Sequence, residues 1–320
     1  MKDSDGSVTV KYSGVIYKFP SADIGELRDS TDYLDDFKIL HRRMEEDSYL
    51  LFRNFLDREK VLSARKAKLH LLAKDGHLLP ETDIMEGFIN TDDSKQKRPE
   101  NVDIPQEIFD LCASPSLFKF FNSFFGEEAF LYPKILLRPK KTAGRTGIHV
   151  DNVYVGEGSP RIITCWLPLG DIEAPLGPLA VCKGSHHLDS FAKVRKTYGN
   201  HNVDRDNIKG SLNAPGHFSW DLKDITDNFG GQWQTTNFRA GDVILFPRMT
   251  FHCGLDNTTD RFRISTDFRF QPLVDPKDMR FMRDSIRSEE TEQDFTHRYS
   301  VATGTKTAIS MEEARKNWGL

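Results

Sequence analysis

The fold is decided by Arg261-Phe262-Arg263-Ile264-Ser265-Thr266-Asp267-Phe268-Arg269-Phe270, a stretch in which polar and apolar side chains alternate. Alternation with a period of two places successive side chains on opposite faces of a β-strand. One face of this strand is therefore apolar, and the other carries Arg261, Arg263, Ser265, Asp267 and Arg269. A polar face of this kind either lines a cavity or meets solvent, and alternation alone does not decide between the two.

Four further short runs rich in β-forming residues precede this strand, and glycine and proline separate them. The runs are Phe130 to Arg138, Arg161 to Leu169, Pro178 to Val181 and Val243 to Phe246. Many short strands with turn signals between them indicate a sandwich or a barrel, and strands and helices do not alternate as in a doubly wound sheet. The third and fourth runs are separated by a long polar stretch, residues 188–234, which we expect to be a lid-like insertion.

Helical patterns dominate the first part of the chain. Thr31 is expected to cap a helix whose apolar residues follow the helical period. A buried strand is expected over Tyr49–Leu56, and a second helix from the N-cap Asp57 to the stop at Gly76. A third helix is expected at Pro115–Phe125.

We expect one domain over residues 1–320, mainly β with added helices. A mainly helical part with one early strand covers residues 1–128 and includes a charged loop at 91–105. The β core with its insertion covers 129–272, and a C-terminal extension covers 273–320. The segment from Ser310 to Arg315 has a helical pattern, and packing on the barrel or joining a homodimer interface are both open for it.

Composition narrows the class of protein. The chain of 320 residues has 44 Lys and Arg against 48 Asp and Glu, a net charge of −4, which argues against nucleic acid as a main partner. No apolar run is long enough to span a bilayer, and the first six residues lack the apolar core of a signal peptide. Four widely separated cysteines without a CxxC pair indicate reduced thiols. We therefore expect a soluble, cytoplasmic protein. The cysteines are Cys112, Cys165, Cys182 and Cys253.

A histidine and an aspartate two residues apart are the first candidates for metal binding. His149 and Asp151 would share one face of a strand, because residues i and i+2 point the same way. An HxD pair alone is weak evidence, and the chain contains another one, His187-Leu188-Asp189. That second pair leads into a helical pattern, where i and i+2 do not face each other, so we interpret it as structural or solvent-facing.

His252 is the best candidate for a third ligand. It stands alone after a tight turn at Gly241-Asp242, an apolar strand and a proline at position 247. Two histidines and one carboxylate with open positions are the ligand set of non-haem Fe(II) oxygenases.

The ordered set of motifs resembles the phytanoyl-CoA dioxygenase family of Fe(II)/2-oxoglutarate-dependent oxygenases. Arg263 lies eleven positions after His252, where that family carries its 2-oxoglutarate arginine. Tyr49–Leu56 is similar to the family's N-terminal strand. Each motif is common, but together and in order they are specific. The motifs are His149-x-Asp151, Trp166, Gly177-Pro178-Leu179, Gly184-Ser185-His186, Gly241-Asp242, His252 and Arg263.

The resemblance implies a double-stranded β-helix, or jelly roll, with helices packed on one sheet. It implies that His149, Asp151 and His252 ligate iron and form the catalytic centre. It also implies that Arg263 binds the far carboxylate of the co-substrate 2-oxoglutarate. Ser265 would assist Arg263, and Trp166 and Arg138 would border the co-substrate. For Trp166 and Arg138, roles as a core aromatic and a strand-end charge are equally open.

The implied activity is oxidation of a small organic molecule by O2, by default hydroxylation, with release of succinate and CO2. Related halogenases lack the carboxylate, so Asp151 favours oxygenation. Asn152, Tyr154 and Trp220 are candidate substrate contacts, and no basic cluster indicates a CoA phosphate site. The alternatives are a non-catalytic cupin-like binding protein and an oxygenase that acts on an acyl-CoA or on a protein residue.

Overall fold

The computed structural model describes residues 6–92, 99, 103–282 and 308–320. Its strands are β1 (Val8–Tyr12), β2 (Val15–Phe19), β3 (Ile24–Glu26), β4 (Leu50–Phe52), β5 (Ala129–Leu131), β6 (Leu136–Lys140), β7 (Thr146–His149), β8 (Ile163–Pro168), β9 (Leu179–Lys183), β10 (Gln232–Thr235), β11 (Val243–Pro247), β12 (His252–Gly254) and β13 (Arg263–Pro272). Its helices are α1 (Phe37–Asp47), α2 (Arg58–Lys74), α3 (Gln106–Cys112), α4 (Pro115–Phe125), α5 (Asn152–Val155), α6 (Ala192–Lys196), α7 (Leu222–Phe229) and α8 (Met311–Trp318).

Two open sheets form the centre of the molecule. One has the order β3-β10-β9-β12-β7, and the other has the order β4-β11-β8-β13-β5, with β6 also paired to β13. Apolar side chains from both sheets meet in one cluster, among them Trp166 and Ile244 from one sheet and Leu179 and Val181 from the other. The chain is thus mainly β with added helices, as the sequence predicts, and its sheets are not closed into a barrel.

Alternation along the strands of the six-stranded sheet separates two cores. On β11, Val243 and Leu245 pack among the residues of α1, α2, α3 and α4, whereas Ile244 and Phe246 point between the sheets. Helices therefore cover the outer face of this sheet, which leaves the inner face for the site.

The structure shows whether the polar face of β13 lines a cavity or meets solvent. All ten of its residues are buried, and Ile264, Phe268 and Phe270 belong to the core beneath the helices. The polar set Arg263, Ser265, Asp267 and Arg269 is equally buried, so it lines the space between the sheets and does not meet solvent. Arg261 precedes the strand and is exposed.

The expected helices form, with one correction. α1 begins at Phe37 and is capped by Asp36, whose carboxylate accepts a hydrogen bond from the Ile39 amide at 3.0 Å. Thr31 does not cap it, because the Thr31 hydroxyl instead accepts from the Arg53 amide at 2.7 Å. α2 begins after Asp57 as predicted, with the cap bond from the Lys60 amide at 3.0 Å. α4 keeps its predicted bounds.

The first part of the chain holds more strand than expected. Besides β4, which lies within the expected strand, the chain forms a hairpin from β1 and β2 and adds β3 beside β10. These short strands lack a long apolar run, which is why one early strand was expected. The loop at 91–105 and the C-terminal extension lie partly outside the described residues. No helix in the described part of the chain is long and apolar enough to cross a membrane.

The chain end packs against the molecule. In α8, Met311 and Ala314 are buried, and Arg315 donates two hydrogen bonds to Asp224 of α7 at 2.7 and 2.8 Å. Of the two possibilities that the sequence left open for this segment, the structure shows packing on the same chain.

The 188–234 stretch joins the sheet that carries His149. The Ile148 amide of β7 donates to the Ser219 carbonyl at 2.9 Å, and the Phe218 amide donates back to the Ile148 carbonyl at 2.8 Å. The stretch also contributes α6, α7 and β10. Its central part is therefore fixed beside the strand on which the candidate site is built.

Replacement of Phe121 by alanine tests the packing of α4 on the sheet. Phe121 is fully buried, and its ring stacks on Phe270 of β13 with centroids 4.2 Å apart. We expect Phe121→Ala to lower the free energy of unfolding by about 3–5 kcal/mol, measured by denaturant titration. Lys119→Ala, at an exposed position of the same helix, should change it by less than about 0.5 kcal/mol. Equal effects of the two substitutions would contradict this packing.

Candidate metal and cofactor site

Three candidate ligands meet between the sheets. His149 ends β7 and His252 begins β12, and the two residues are directly paired in the antiparallel ladder. Asp151 Oδ1 lies 3.7 Å from the Nε2 atom of each histidine. All three side chains are buried, and one potential ligand atom from each lies within 4.8 Å of the others. The group can therefore hold a metal ion.

Asp151 reaches this position by a route other than the expected one. β7 ends at His149, and Asp151 lies in the turn before α5. The two side chains converge because the chain turns, and not because they share one face of a strand. The prediction that they are adjacent is confirmed, but the reason given for it was wrong.

Backbone carbonyls fix the orientation of both imidazoles. His149 Nδ1 lies 2.8 Å from the Gly147 carbonyl oxygen, and His252 Nδ1 lies 3.0 Å from the Thr250 carbonyl oxygen. A carbonyl only accepts, so each Nδ1 carries the proton and each Nε2 presents its lone pair to the centre. Burial lowers the pKa of both histidines, which keeps them neutral and able to bind a metal.

The second oxygen of Asp151 is held by two donors. Thr164 donates its hydroxyl to Asp151 Oδ2 at 2.5 Å, and Arg269 donates Nη2 to the same atom at 2.9 Å. Burial raises the pKa of Asp151, but the Arg269 guanidinium and the hydrogen bond from Thr164 act against it, and the pKa lies below its usual range. The carboxylate is therefore ionised, and Oδ1 is left for the metal.

Arg269 belongs to a series of ion pairs that also includes Asp267 and Arg138. Its Nη2 also lies 3.1 Å from Asp267 Oδ2, and Asp267 accepts two hydrogen bonds from Arg138 at 2.5 and 3.2 Å. The sequence places Asp267 and Arg269 on the polar face of β13 but assigned them no role. Thr164 carried no signal that would have identified it.

Arg263 is buried without a carboxylate partner. Its Nε donates to the Gly177 carbonyl at 3.1 Å, and its Nη1 donates to the Ser265 hydroxyl at 2.6 Å. Among the residues that the structure describes, no carboxylate lies within salt-bridge distance of it. Burial and the neighbouring Arg138 lower its pKa to about 10, so it stays charged at neutral pH. A side chain at Gly254 would meet Arg263 Nη2 at 2.7 Å, so the glycine makes room for the guanidinium.

One cavity contains both the histidines and this arginine. Its lining includes His149, His252, Arg263, Arg138 and Trp166. Trp166 is buried and packs on Phe238 with ring centroids 4.8 Å apart. Arg138 leaves 30% of its side chain exposed. Both therefore border the cavity, whereas Ser265 reaches it through Arg263.

The three predicted substrate residues hold the 188–234 stretch in place. Asn152 donates to the Gly199 carbonyl at 2.5 Å, Tyr154 to the Pro215 carbonyl at 2.7 Å, and Trp220 to the Ser211 carbonyl at 3.0 Å. Of the three, Tyr154 lies beside a candidate ligand, with its ring centroid 5.5 Å from that of His149. Each of the three donates to a backbone carbonyl, and their contact with substrate stays a prediction.

His217 is a neighbour of the site, and the sequence indicated it only as one of several residues of the 188–234 stretch that could frame a pocket. Its ring lies 5.5 Å from that of His149, and it packs so close to Gly147 that a Cβ there would meet it at 2.7 Å. A single histidine within a long polar stretch gives no signal that separates it from a solvated residue.

Comparison with known proteins assigns the family. Residues 44–265 match the family model described as phytanoyl-CoA dioxygenase. The chain belongs to the phytanoyl-CoA dioxygenase family. The match spans the strand at β4, all three candidate ligands and Arg263, so the resemblance seen in the sequence is confirmed. The protein is therefore an Fe(II)- and 2-oxoglutarate-dependent oxygenase.

Individual relatives agree with this family. The chain is 27% identical over 258 residues to 1-deoxypentalenic acid 11-beta-hydroxylase from Streptomyces arenae, which covers 76% of this chain and 84% of that protein. The fold of this chain is similar to that of the epimerase SnoN, solved in complex with Fe3+, alpha ketoglutarate and nogalamycin RO. The TM-score is 0.52 at 18% identity, over 80% of this chain and 93% of SnoN. EctD from S. alaskensis with bound Fe gives a TM-score of 0.52 at 16% identity, over 89% of this chain and 95% of EctD.

Removal of the Arg269 side chain tests its hold on Asp151. We expect Arg269→Gln to weaken binding of Fe(II) by about 10–100-fold, because the partners of a metal-ligating carboxylate orient it and tune its charge. Metal affinity would be measured anaerobically by competition with a chromophoric chelator. Thr164→Val, a smaller change that removes the other donor, should also weaken binding.

Arg161→Gln is the matched control. Arg161 also pairs with a carboxylate, Asp275, but it lies on the surface with 47% of its side chain exposed. Its replacement should leave the metal affinity unchanged. Wild-type affinity in both Arg269→Gln and Thr164→Val would refute the positioning role.

Proposed function

We propose that this family member hydroxylates a small organic molecule, consuming 2-oxoglutarate and O2 and releasing succinate and CO2. The observation that carries the proposal is that one cavity is lined by two neutral imidazoles and by an arginine with no carboxylate partner among the described residues, while the buried Asp151 carboxylate lies beside both imidazoles. The two imidazoles and the carboxylate are the ligand set of non-haem Fe(II) oxygenases, and the arginine requires an anion beside them.

His149, Asp151 and His252 are assigned as the iron ligands. The donor set suits the ion, since two Nε2 lone pairs and Asp151 Oδ1 face one point while the other atoms of all three groups are engaged by the protein. Three protein ligands leave positions open for co-substrate and oxygen. When bound, iron and 2-oxoglutarate together supply the oxidising chemistry.

Arg263 is assigned to the far carboxylate of 2-oxoglutarate. Its guanidinium is a planar fork that binds a carboxylate through two parallel hydrogen bonds. Ser265 and the Gly177 carbonyl take the other donors and fix the plane of the fork. Trp166 and Arg138 are assigned to the border of the co-substrate, where Trp166 excludes water and Arg138 adds positive charge.

Hydroxylation of a small molecule is favoured over other outcomes. Asp151 occupies the position that a halide needs in related halogenases, and the sequence relative named above is a hydroxylase that acts on 1-deoxypentalenic acid. Tyr154, whose ring lies beside that of His149, is the assigned substrate neighbour, together with Asn152 and Trp220. The protein's task is to hold one C–H bond at the open side of the iron.

A cytoplasmic location and a homodimer complete the proposal. The four cysteines are free and buried, as suits a reducing compartment.

An anaerobic titration tests the cofactor assignments. Addition of 2-oxoglutarate to protein with Fe(II) should produce the weak visible charge-transfer band of the chelate. We expect His252→Ala to abolish the band, because a metal ligand is lost. We expect Arg263→Ala to require at least about tenfold more 2-oxoglutarate, because a buried charge-assisted hydrogen-bonded pair is lost.

The matched control is Arg58→Ala, since the Arg58 guanidinium pairs with Asp171 on the surface with 43% of its side chain exposed. Its titration should match that of the wild type. Absence of the band in the wild type would refute the oxygenase assignment and favour the cupin-like binding protein.

A further inference from the structure

A second group of potential metal ligands lies outside the cavity. It consists of Glu45 in the last turn of α1 and of His186 and His187 in the turn after β9. One potential ligand atom from each residue lies within 4.8 Å of the others. The group shares no residue with the proposed iron site, and it joins two segments that are about 140 residues apart in sequence.

His186 has a hydrogen-bond partner at each ring nitrogen. His186 Nδ1 lies 2.6 Å from the Ser48 hydroxyl, and His186 Nε2 lies 3.3 Å from Glu45 Oε2. With the proton on Nδ1 and donated to Ser48, the Nε2 lone pair and the Glu45 carboxylate are two acceptors that face each other. A cation between them satisfies both acceptors. A hydroxyl on the far nitrogen is the outer partner that orients a metal-bound imidazole.

His187, which its helical context led us to interpret as structural or solvent-facing, lies beside His186 and has an unsatisfied ring nitrogen. Its ring centroid lies 4.8 Å from that of His186. Its Nδ1 is buried and has no hydrogen-bond partner among the described residues. A buried polar atom without a partner costs about 1–3 kcal/mol, so such atoms in a folded protein call for an explanation. Two imidazoles and a carboxylate that converge at one point supply that explanation.

We propose that Glu45, His186 and His187 form a peripheral site for a divalent transition-metal ion, with Zn2+ as the preferred occupant. Two nitrogen ligands and one oxygen ligand suit zinc, which binds three protein side chains and one water when a site is open on one side. Glu45 is 70% exposed, so water completes the coordination. Among common divalent ions, this donor set favours zinc, nickel and copper over magnesium and calcium.

Hydrogen bonds of Ser48 and Thr250 connect the peripheral site with the proposed iron site. The Thr250 hydroxyl donates to the backbone carbonyl of Ser48 at 3.0 Å, and the Thr250 carbonyl accepts from His252 Nδ1. Ser48 thus contacts His186 with its side chain and the loop before His252 with its backbone. An ion at the peripheral site would fasten α1 to the turn from which the 188–234 stretch begins.

Zinc titration of the chelator-stripped, full-length protein tests the site by calorimetry. We expect the wild type to bind a second equivalent of Zn2+ beyond the one held in the cavity. His252→Ala, which removes a cavity ligand, should keep the peripheral equivalent. Glu45→Gln and His187→Ala should each lower the affinity of the peripheral site for Zn2+ by at least about tenfold. Glu45→Gln changes only an exposed carboxylate, so folding is not at risk.

His70→Ala is the matched control, because His70 is exposed on α2 away from this group. Its titration should match that of the wild type. Co2+ bound to the His252→Ala variant should give the visible absorption of a tetrahedral site, and Glu45→Gln in that background should remove it. An unchanged Zn2+ titration in both Glu45→Gln and His187→Ala would overturn the proposal in favour of a plain His186–Glu45 hydrogen bond. Because Glu45 and His187 share no residue with the cavity, their effect in the His252→Ala background tests the peripheral site separately from the iron site.

Discussion

The carboxylate of Asp151, ionised and buried between two sheets, is the constraint on which the arrangement of the site depends. A buried charge is costly unless it is paired and hydrogen-bonded. Arg269 and Thr164 meet that requirement at one oxygen, which leaves the other oxygen directed at the two histidines. Because Arg269 is itself buried, Asp267 is needed to share its charge, and Arg138 is needed beside Asp267. The inner face of β13 is polar because one carboxylate must remain ionised in the interior.

Arg263 does not belong to this series of ion pairs. Arg138 and Arg269 each contact a carboxylate, whereas Arg263 is held by neutral oxygen atoms alone among the described residues. The folded protein therefore keeps an unneutralised cation next to the metal ligands. Such a site is complementary to a dianion that places one carboxylate at the metal and the other at the arginine, which is the shape of 2-oxoglutarate. Under the proposed assignment of Arg263, this charge, which has no counterion among the described residues, would select a co-substrate with a second carboxylate.

The sequence predicted the fold class from local signals, since alternation identified β13 and short strands with turns between them indicated a sandwich or barrel. The HxD pair and a lone histidine after a strand indicated His149, Asp151 and His252 as candidate ligands, whereas the role expected for Arg263 came from the resemblance to the family. Prediction was less successful where side chains meet through tertiary structure. Nothing local to Thr164 shows that its hydroxyl faces Asp151. The use of the Thr31 hydroxyl by the Arg53 amide likewise depends on a neighbour 22 residues away. The structure shows Asn152, Tyr154 and Trp220 bonded to the backbone of the 188–234 stretch, a partner that the sequence could not reveal.

The pairing of β7 with β12 also determines when during folding the site can exist. His149 and His252 are about one hundred residues apart in sequence and become neighbours only once this antiparallel ladder closes. A contact between distant parts of a chain forms slowly, because closing the long loop costs conformational entropy before the contact contributes any stabilising free energy. The intervening residues include β8, β9, β10 and β11. A chain in which β7 and β12 have not yet paired therefore does not hold the two histidines side by side, and the candidate metal site is absent until they do.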